Sequence, residues 1–356
     1  MSRISDNLSV LVDAKGAIAS AIEAKGGTVT GGLVDYASAI RAIPGGAEIP
    51  AGTKFTYSGW SEIPAVVKSY VVGVRDGAHI FSHCTNLSEV KLELPNTRDL
   101  SGGFYYSTGL QNASLDIPNV SIMDDCFHYC YNLTEVNLIN AHKLQSARAC
   151  FESCSRLVHV SIDGAPTNIA MILSNCTSLT SVTLNVSQVQ LATSAFANAN
   201  KLRDIVFIGD LSNCAGLYEA FGYCSSLESI ELSQLSRITD MSSAFRNCSA
   251  LTSVKLYGLT GGTNPTPKMG WSNTFYGCSN LEYIDFDIIP FVSATGWGLS
   301  TCTKLTHDAL MNIINALEMK PNFTLIKPIC SLGTTNLAKL TEDEIAIATN
   351  KGWQLA

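Results

Sequence analysis

With 356 residues, 46% of them apolar, the chain can bury a sizeable core, and length alone allows two or three domains. Only 15% of the residues are charged and the net charge is −7. No dense Lys/Arg patch stands anywhere, which argues against nucleic acid and anionic membranes as partners, and the absence of any run of about 18 apolar residues excludes a membrane-inserted helix.

Residues 1–46 are expected to form a helical module. Ile4, Leu8, Leu11, Ile18 and Ile22 share one helical face, and their spacing also fits a short coiled-coil seam with Lys15 at a core position. A second stripe follows at Leu33, Tyr36, Ala37, Ile40 and Ile43. Two readings stand: a hairpin packing on itself, or an attachment and self-association module that makes the chain a homo-oligomer. Asp6, Asp13 and Lys15 interrupt what would be the apolar stretch of a secretion signal. The expectation is therefore synthesis in a cytoplasm, with the twelve cysteines as free thiols or metal ligands. Residues 47–75 read as a β-rich linker and N-terminal cap.

Over 76–305 a template recurs, F-x-x-C-x-x-L-x-x-V/I-x-L. It fits Phe81/Cys84/Leu87/Val90/Leu92, Phe127/Cys130/Leu133/Val136/Leu138 and Phe245/Cys248/Leu251/Val254/Leu256, among nine copies. Successive Phe slots lie 22 to 25 residues apart, with one interval of 30. That period is the mark of a leucine-rich repeat. The L-x-x-V-x-L part suits a short strand, and the "AF-x-x-C" part suits a turn or two of helix. No unit can bury its own apolar face, so stability must come from stacking on neighbours.

These copies resemble the BspA-like leucine-rich repeat proteins of bacteria and their viruses. The resemblance implies an α/β repeat fold: a leucine-rich repeat solenoid with a parallel sheet, here with a helical N-terminal module and an αβ C-terminal cap. It also implies a non-enzymatic adhesin or host-contact role. The segment "IASAIEAKGGTVTGGLVDYASAIRAI" resembles helical modules near the N-termini of tailed-phage structural proteins. Together they imply a virion protein, a tail fibre or exposed appendage, joined to other virion proteins through 1–46 and binding a host surface protein or glycan through its repeats. The alternatives are a bacterial cell-surface adhesin and an intracellular protein-interaction scaffold.

Eight of the twelve cysteines share one repeat slot, which Ser107 and Ala199 also occupy. A small buried residue is the leading reading. Cys126, Cys130, Cys150 and Cys154 lie on adjacent units, where a zinc ion or a disulfide is the alternative. No catalytic motif is present, and no cofactor is expected.

Binding residues are sought on two outward faces. Along the strands, Tyr257, Tyr283 and Asp285 alternate with inward residues. In the slot two after Phe stand Tyr106, Tyr129 and Tyr223, with His83, Asn175, Asn198 and Asn247; Tyr and Asn suit adaptable surfaces. The 30-residue interval is expected to be a protruding loop exposing Trp271, with Trp297 one unit on as a second indole for a glycan or protein, or as a plug for the lower end. Past 306, "HDALMNIINALEM" is a helix expected to end at Lys320-Pro321, "NFTLIKP" a strand, and "TEDE" at 341–344 the capping box of a last helix.

Overall fold

A computed structural model describes residues 63, 74–260, 270–289, 296–319 and 328–356. The expected helical module 1–46, nearly all of the expected linker and cap 47–75, residues 261–269 of the expected protruding loop and most of "NFTLIKP" lie outside the described residues.

Each unit contributes one short strand: β1 (Glu89–Glu93), β2 (Asn112–Asp116), β3 (Glu135–Ile139), β4 (His159–Ile162), β5 (Ser181–Asn185), β6 (Asp204–Ile208), β7 (Ser229–Leu232), β8 (Ser253–Leu256) and β9 (Tyr283–Phe286). All pair in parallel, and the register places equivalent template positions side by side: Val90, Ala113 and Val136; Leu92, Leu115 and Leu138; Val160, Val182 and Ile205; Leu232, Leu256 and Phe286. The period of two puts these residues inward and their neighbours outward. The sheet is not continuous. It falls into β1-β2-β3, β4-β5-β6 and β7-β8-β9, with no pairing between β3 and β4 or between β6 and β7.

The other side of each coil departs from expectation. The "AF-x-x-C" segments form consecutive tight turns rather than a helix. In the unit around Phe127, the N–H groups of Cys126, His128 and Cys130 close turns onto Met123, Asp125 and Phe127, while those of Met123, Asp125, Phe127 and Tyr129 donate to Ser146, Arg148, Cys150 and Glu152 of the next coil. Every N–H from 123 to 130 except Asp124 thus has one of two destinations, which a helix could not offer a neighbouring coil. The turns closed by Cys126 and Cys130 carry a positive φ at their third residue, Asp125 at 55° and Tyr129 at 63°; the turn between them, closed by His128, does not. The pattern recurs in the units of Phe104, Phe151, Leu173, Phe221 and Phe245, and gives way to a 3-10 turn at Leu299–Thr301 in the last.

The core runs the length of the solenoid. Phe81, Phe104, Phe127 and Phe151 stack with ring centroids 5.2–5.5 Å apart. Leu173 interrupts the stack, and Phe196, Phe221, Phe245 and Phe275 resume it at 5.3–5.7 Å.

The cysteine ladder lies beside the phenylalanines. Cys130, Cys154, Cys176, Cys224, Cys248, Cys278 and Cys302 each donate S–H to the carbonyl oxygen of Phe in the preceding coil, at 3.0–3.3 Å. Ser107 makes the same bond with its hydroxyl, to Phe81 O at 3.0 Å. Small size is therefore only half of what the slot selects; the other half is a donor. Most of these carbonyls also accept the N–H three residues on, so both lone pairs are used, as at Phe127, which accepts from Cys130 N and Cys154 Sγ. Ala199 is the exception. It leaves Leu173 O with the Cys176 N–H alone among the described bonds. Restoring the donor with Ala199→Cys is expected to stabilise the fold by about 1 kcal/mol. A urea midpoint that falls rather than rises would show that the slot tests volume only.

The αβ cap closes the last coil. Helix α1 (His307–Ala316) is capped by Thr306, whose hydroxyl accepts from Ala309 N. It ends at Ala316, short of the expected Lys320-Pro321, with Leu317 already extended at ψ 122°. Two further helices follow, α2 (Thr334–Leu337) and α3 (Glu342–Asn350), with a two-stranded parallel sheet of β10 (Ile329–Cys330) and β11 (Gln354–Leu355). The capping box is present: Glu344 N donates to Thr341 Oγ, and Thr341 N donates to Glu344 Oε2. Asn336, buried, donates to the carbonyls of Leu299, Cys302 and Leu332, and Lys339 to those of Thr303 and Leu305. The acceptors a next coil would have used are taken by side chains of the cap.

Candidate functional site

The slot two after Phe is left-handed in every unit. Its φ is 61° at His83, 58° at Tyr106, 63° at Tyr129, 63° at Ser153, 60° at Asn175, 62° at Asn198, 64° at Tyr223, 58° at Asn247 and 80° at Gly277. Asn and Gly tolerate this conformation best. Backbone demand is therefore sufficient to account for the asparagines. The bulky rings at His83, Tyr106, Tyr129 and Tyr223 are not explained that way. Each pays a steric penalty of about 1 kcal/mol that Asn or Gly would lessen.

Three of those four rings meet. Tyr106 lies 5.4 Å from His83 and 5.8 Å from Tyr129, centroid to centroid. Tyr105 joins His83 at 5.7 Å and Tyr129 at 5.8 Å, and Tyr131 joins Tyr106 at 6.3 Å and Tyr129 at 5.7 Å. His79 stands at the margin, 6.4 Å from Tyr105. The result is a continuous aromatic surface over the turns of the first three units. Tyr106 and Tyr131 are 40% and 39% exposed, so both rings remain in reach of solvent although Tyr106 stacks on His83.

A polar network anchors the surface from one side. His128 stacks on Tyr129 at 3.9 Å and meets Tyr105 edge-on at 5.5 Å. Its Nδ1 is 3.0 Å from Asp125 Oδ1 and its Nε2 is 3.6 Å from Glu152 Oε2, while Arg148 reaches Asp125 at 3.1 Å. Burial pushes the Glu152 carboxyl above its ordinary value, against the pull of His128 and Arg148.

The other expected residues do not join this surface. Tyr257 donates to Asp285 Oδ2 at 2.8 Å on the outward face of β8 and β9, which pushes the phenol up to about 12. Tyr283 lies two residues before Asp285 on the same strand. Tyr223 belongs to a different cluster, in which the Arg246 guanidinium lies 5.9 Å from its ring and 5.6 Å from that of Tyr276. The tryptophans are a correction. Trp271 is 2% exposed and Trp297 fully buried, stacked on each other at 4.9 Å and packed against Phe286. They are core, and no partner can reach them. The four thiols weighed as a zinc site do not converge: among the described residues no group of three or more His, Cys, Asp or Glu could hold a metal, and all four cysteines are free and buried.

Tyr105 and Tyr131 were not singled out from the sequence. The signal was there, in the crowding of "FYYS" at 104–107 and "FHYCY" at 127–131 on adjacent units.

The chain matches the family description "BspA type leucine rich repeat region" over residues 76–173, 148–260, 171–288 and 218–320. Among solved structures it is similar to a leucine-rich cell surface protein of Faecalibacterium prausnitzii, at 19% identity over 59% of this chain and 75% of that one, with a TM-score of 0.30. It is similar also to the leucine-rich repeat protein of T. pallidum (18% identity, 62% and 79% covered, TM-score 0.27) and to one from Bacteroides ovatus (14%, 76% and 91%, TM-score 0.31). No curated protein matches.

Proposed function

The chain belongs to the BspA-type leucine-rich repeat family, and from that premise we propose that it is a non-enzymatic adhesin that works at a bacterial cell surface and grips a partner through the aromatic surface of its first units. The observation that carries the reading is the strained placement of His83, Tyr106 and Tyr129. Three bulky rings occupy a slot where Asn or Gly would be cheaper, and they meet in one exposed patch. Tyrosine supplies rigid contact area with few torsions to freeze, which is what an anchor at an interface needs. Placement on a virion draws its specific support from the resemblance of residues 1–46, which lie outside the described residues.

Two experiments test this. Labelling of intact producing cells with a membrane-impermeant reagent is expected to mark the protein; labelling only after lysis would refute the surface location. Beads coated with the protein are expected to adhere to the cells or surfaces that the producing bacterium colonises. The variant Tyr105→Ser/Tyr106→Asn/Tyr131→Ser should lose at least tenfold in adhesion, because a buried interface tyrosine is worth about 2 kcal/mol. Tyr106→Asn suits the local backbone, so the fold is kept. Undiminished adhesion would sink the assignment of the patch.

A further inference from the structure

A second site lies at another corner of the same units, where the chain leaves each strand. Arg98, Asn119, Ser121, His142, Lys143 and Gln145 line an open groove of about 420 Å³, floored by the buried Leu144. Three successive coils build it. Ser121 N donates to Arg98 O at 2.8 Å and Gln145 N donates to Ser121 O at 2.8 Å, so these three side chains leave adjacent coils in register, about 5 Å apart. Lys143 reaches back across one coil, its Nζ donating to Asn119 Oδ1 at 2.5 Å, and Asn119 Nδ2 donates to Pro95 O at 2.7 Å. The ammonium is thereby held at the rim rather than left to roam.

The charge of this corner is out of character for the molecule. In a chain of net charge −7, one groove carries a guanidinium, an ammonium and an imidazole. Among the described residues no carboxylate forms an ion pair with Arg98, His142 or Lys143; the ion pairs present involve other groups. The nearby acids are occupied elsewhere. Asp99 accepts from Ser101 N and Oγ, Asp116 from Asn140 Nδ2, and Asp124 from Ser146 Oγ and Arg148 N. The equivalent of Arg98 in the preceding coil is Arg75, and further along the solenoid the equivalents are Thr167, Gln190, Ala215 and Thr239, all neutral.

We propose that this groove binds an acidic saccharide, with Arg98 and Lys143 holding a carboxylate, sulfate or phosphate group and the polar side chains of Asn119, Ser121 and Gln145 meeting ring hydroxyls. Cations without carboxylate partners supply the charge-assisted bonds for the anion. Neutral amides and a hydroxyl at coil spacing suit the hydroxyls of a sugar ring, which both donate and accept. A groove of this volume holds one or two sugar rings. The overall negative charge repels anions at long range, so selectivity comes from this local array and salt weakens it. The site shares no residue with the aromatic surface, and its failure would leave that surface standing.

Isothermal titration of the whole chain with glucuronate, glucose 6-sulfate and glucose 6-phosphate, against glucose, tests the proposal. At least one acidic sugar is expected to bind saturably, glucose not at all, and the sugar that binds best identifies the anion. The double variant Arg98→Gln/Lys143→Gln should bind at least about tenfold more weakly. Both side chains are exposed, so the thermal midpoint should not move. Binding of none of the three acidic sugars, or equal binding by the double variant, would overturn the site. Binding of a hexaglutamate peptide in their place would overturn the saccharide assignment in favour of an acidic protein segment.

Discussion

Raising the pH from about 8 to about 10.5 is expected to unfold the protein in one steep step, because buried thiols ionise only in the unfolded chain. All twelve cysteines are buried. Desolvation pushes Cys224, Cys302 and Cys330 up to about 12, and pushes Cys126, Cys130, Cys150, Cys154, Cys176, Cys248 and Cys278 upward as well, from an ordinary value of 9.0. The folded values are raised, so the stability they represent is fully present below pH 9 and is lost as pH climbs from 9 towards 12. Each thiol that stays protonated only in the fold removes roughly 1 kcal/mol per pH unit in that window. A handful acting together exhausts a stability of about 5–15 kcal/mol within two units. Thiolate absorbance and circular dichroism, followed together through an alkaline titration, should change at one midpoint. Thiolate appearing near pH 9 with the structure intact would show that the ladder is open to solvent.

Phe127→Ala is expected to cost about 3–5 kcal/mol, since a fully buried ring leaves a cavity that its neighbours cannot fill. Phe104 and Phe151 lie on either side at 5.2 and 5.5 Å, fixed by their own coils. Phe127→Leu should cost less than about 1.5 kcal/mol, as the protein itself shows: Leu173 fills the same slot, buried, without breaking the coil. Equilibrium denaturation of both variants checks the contrast. Equal losses would mean that ring stacking, not filled volume, holds the ladder.

The strands and their inward residues were legible because a period of two inside a period near 23 leaves little freedom. Val90, Ala113 and Val136 fall into register as counted from the sequence. The turns were less legible. A segment such as "AFRNC" has helical composition, and only the neighbouring coil, by taking alternate N–H groups, turns it into stacked turns. The slot two after Phe shows the same gap. Its asparagines looked like an adaptable surface, and the deciding quantity was a backbone angle that sequence does not display. Trp271 was misplaced for a plainer reason. It stands four residues before Phe275, as Leu100 stands before Phe104, Met123 before Phe127 and Met241 before Phe245, all buried. The long interval lies before Trp271, and the register with Phe275 places the indole in the core all the same. Lys143 and Arg98 were invisible as a pair, lying 45 positions apart in the chain.

The three-by-three division of the strands also distributes stiffness. At β3/β4 and β6/β7 neighbouring coils share no strand pairing, yet the turn side is bonded throughout: Phe127 N to Cys150 O and Tyr129 N to Glu152 O at the first, Phe196 N to Ala220 O and Asn198 N to Gly222 O at the second. The inward residues there, Val136, Leu138, Ile205, Phe207 and Ile230, are only half-buried, where their counterparts inside each triplet are closed. Opening either joint on the strand side breaks no strand–strand hydrogen bond, whereas closing in on the turn side is blocked by the phenylalanine stack. The molecule is therefore built like a spine with a tight ligament along one edge and two slack joints along the other, and bending between its three rigid blocks is the deformation its bonding resists least.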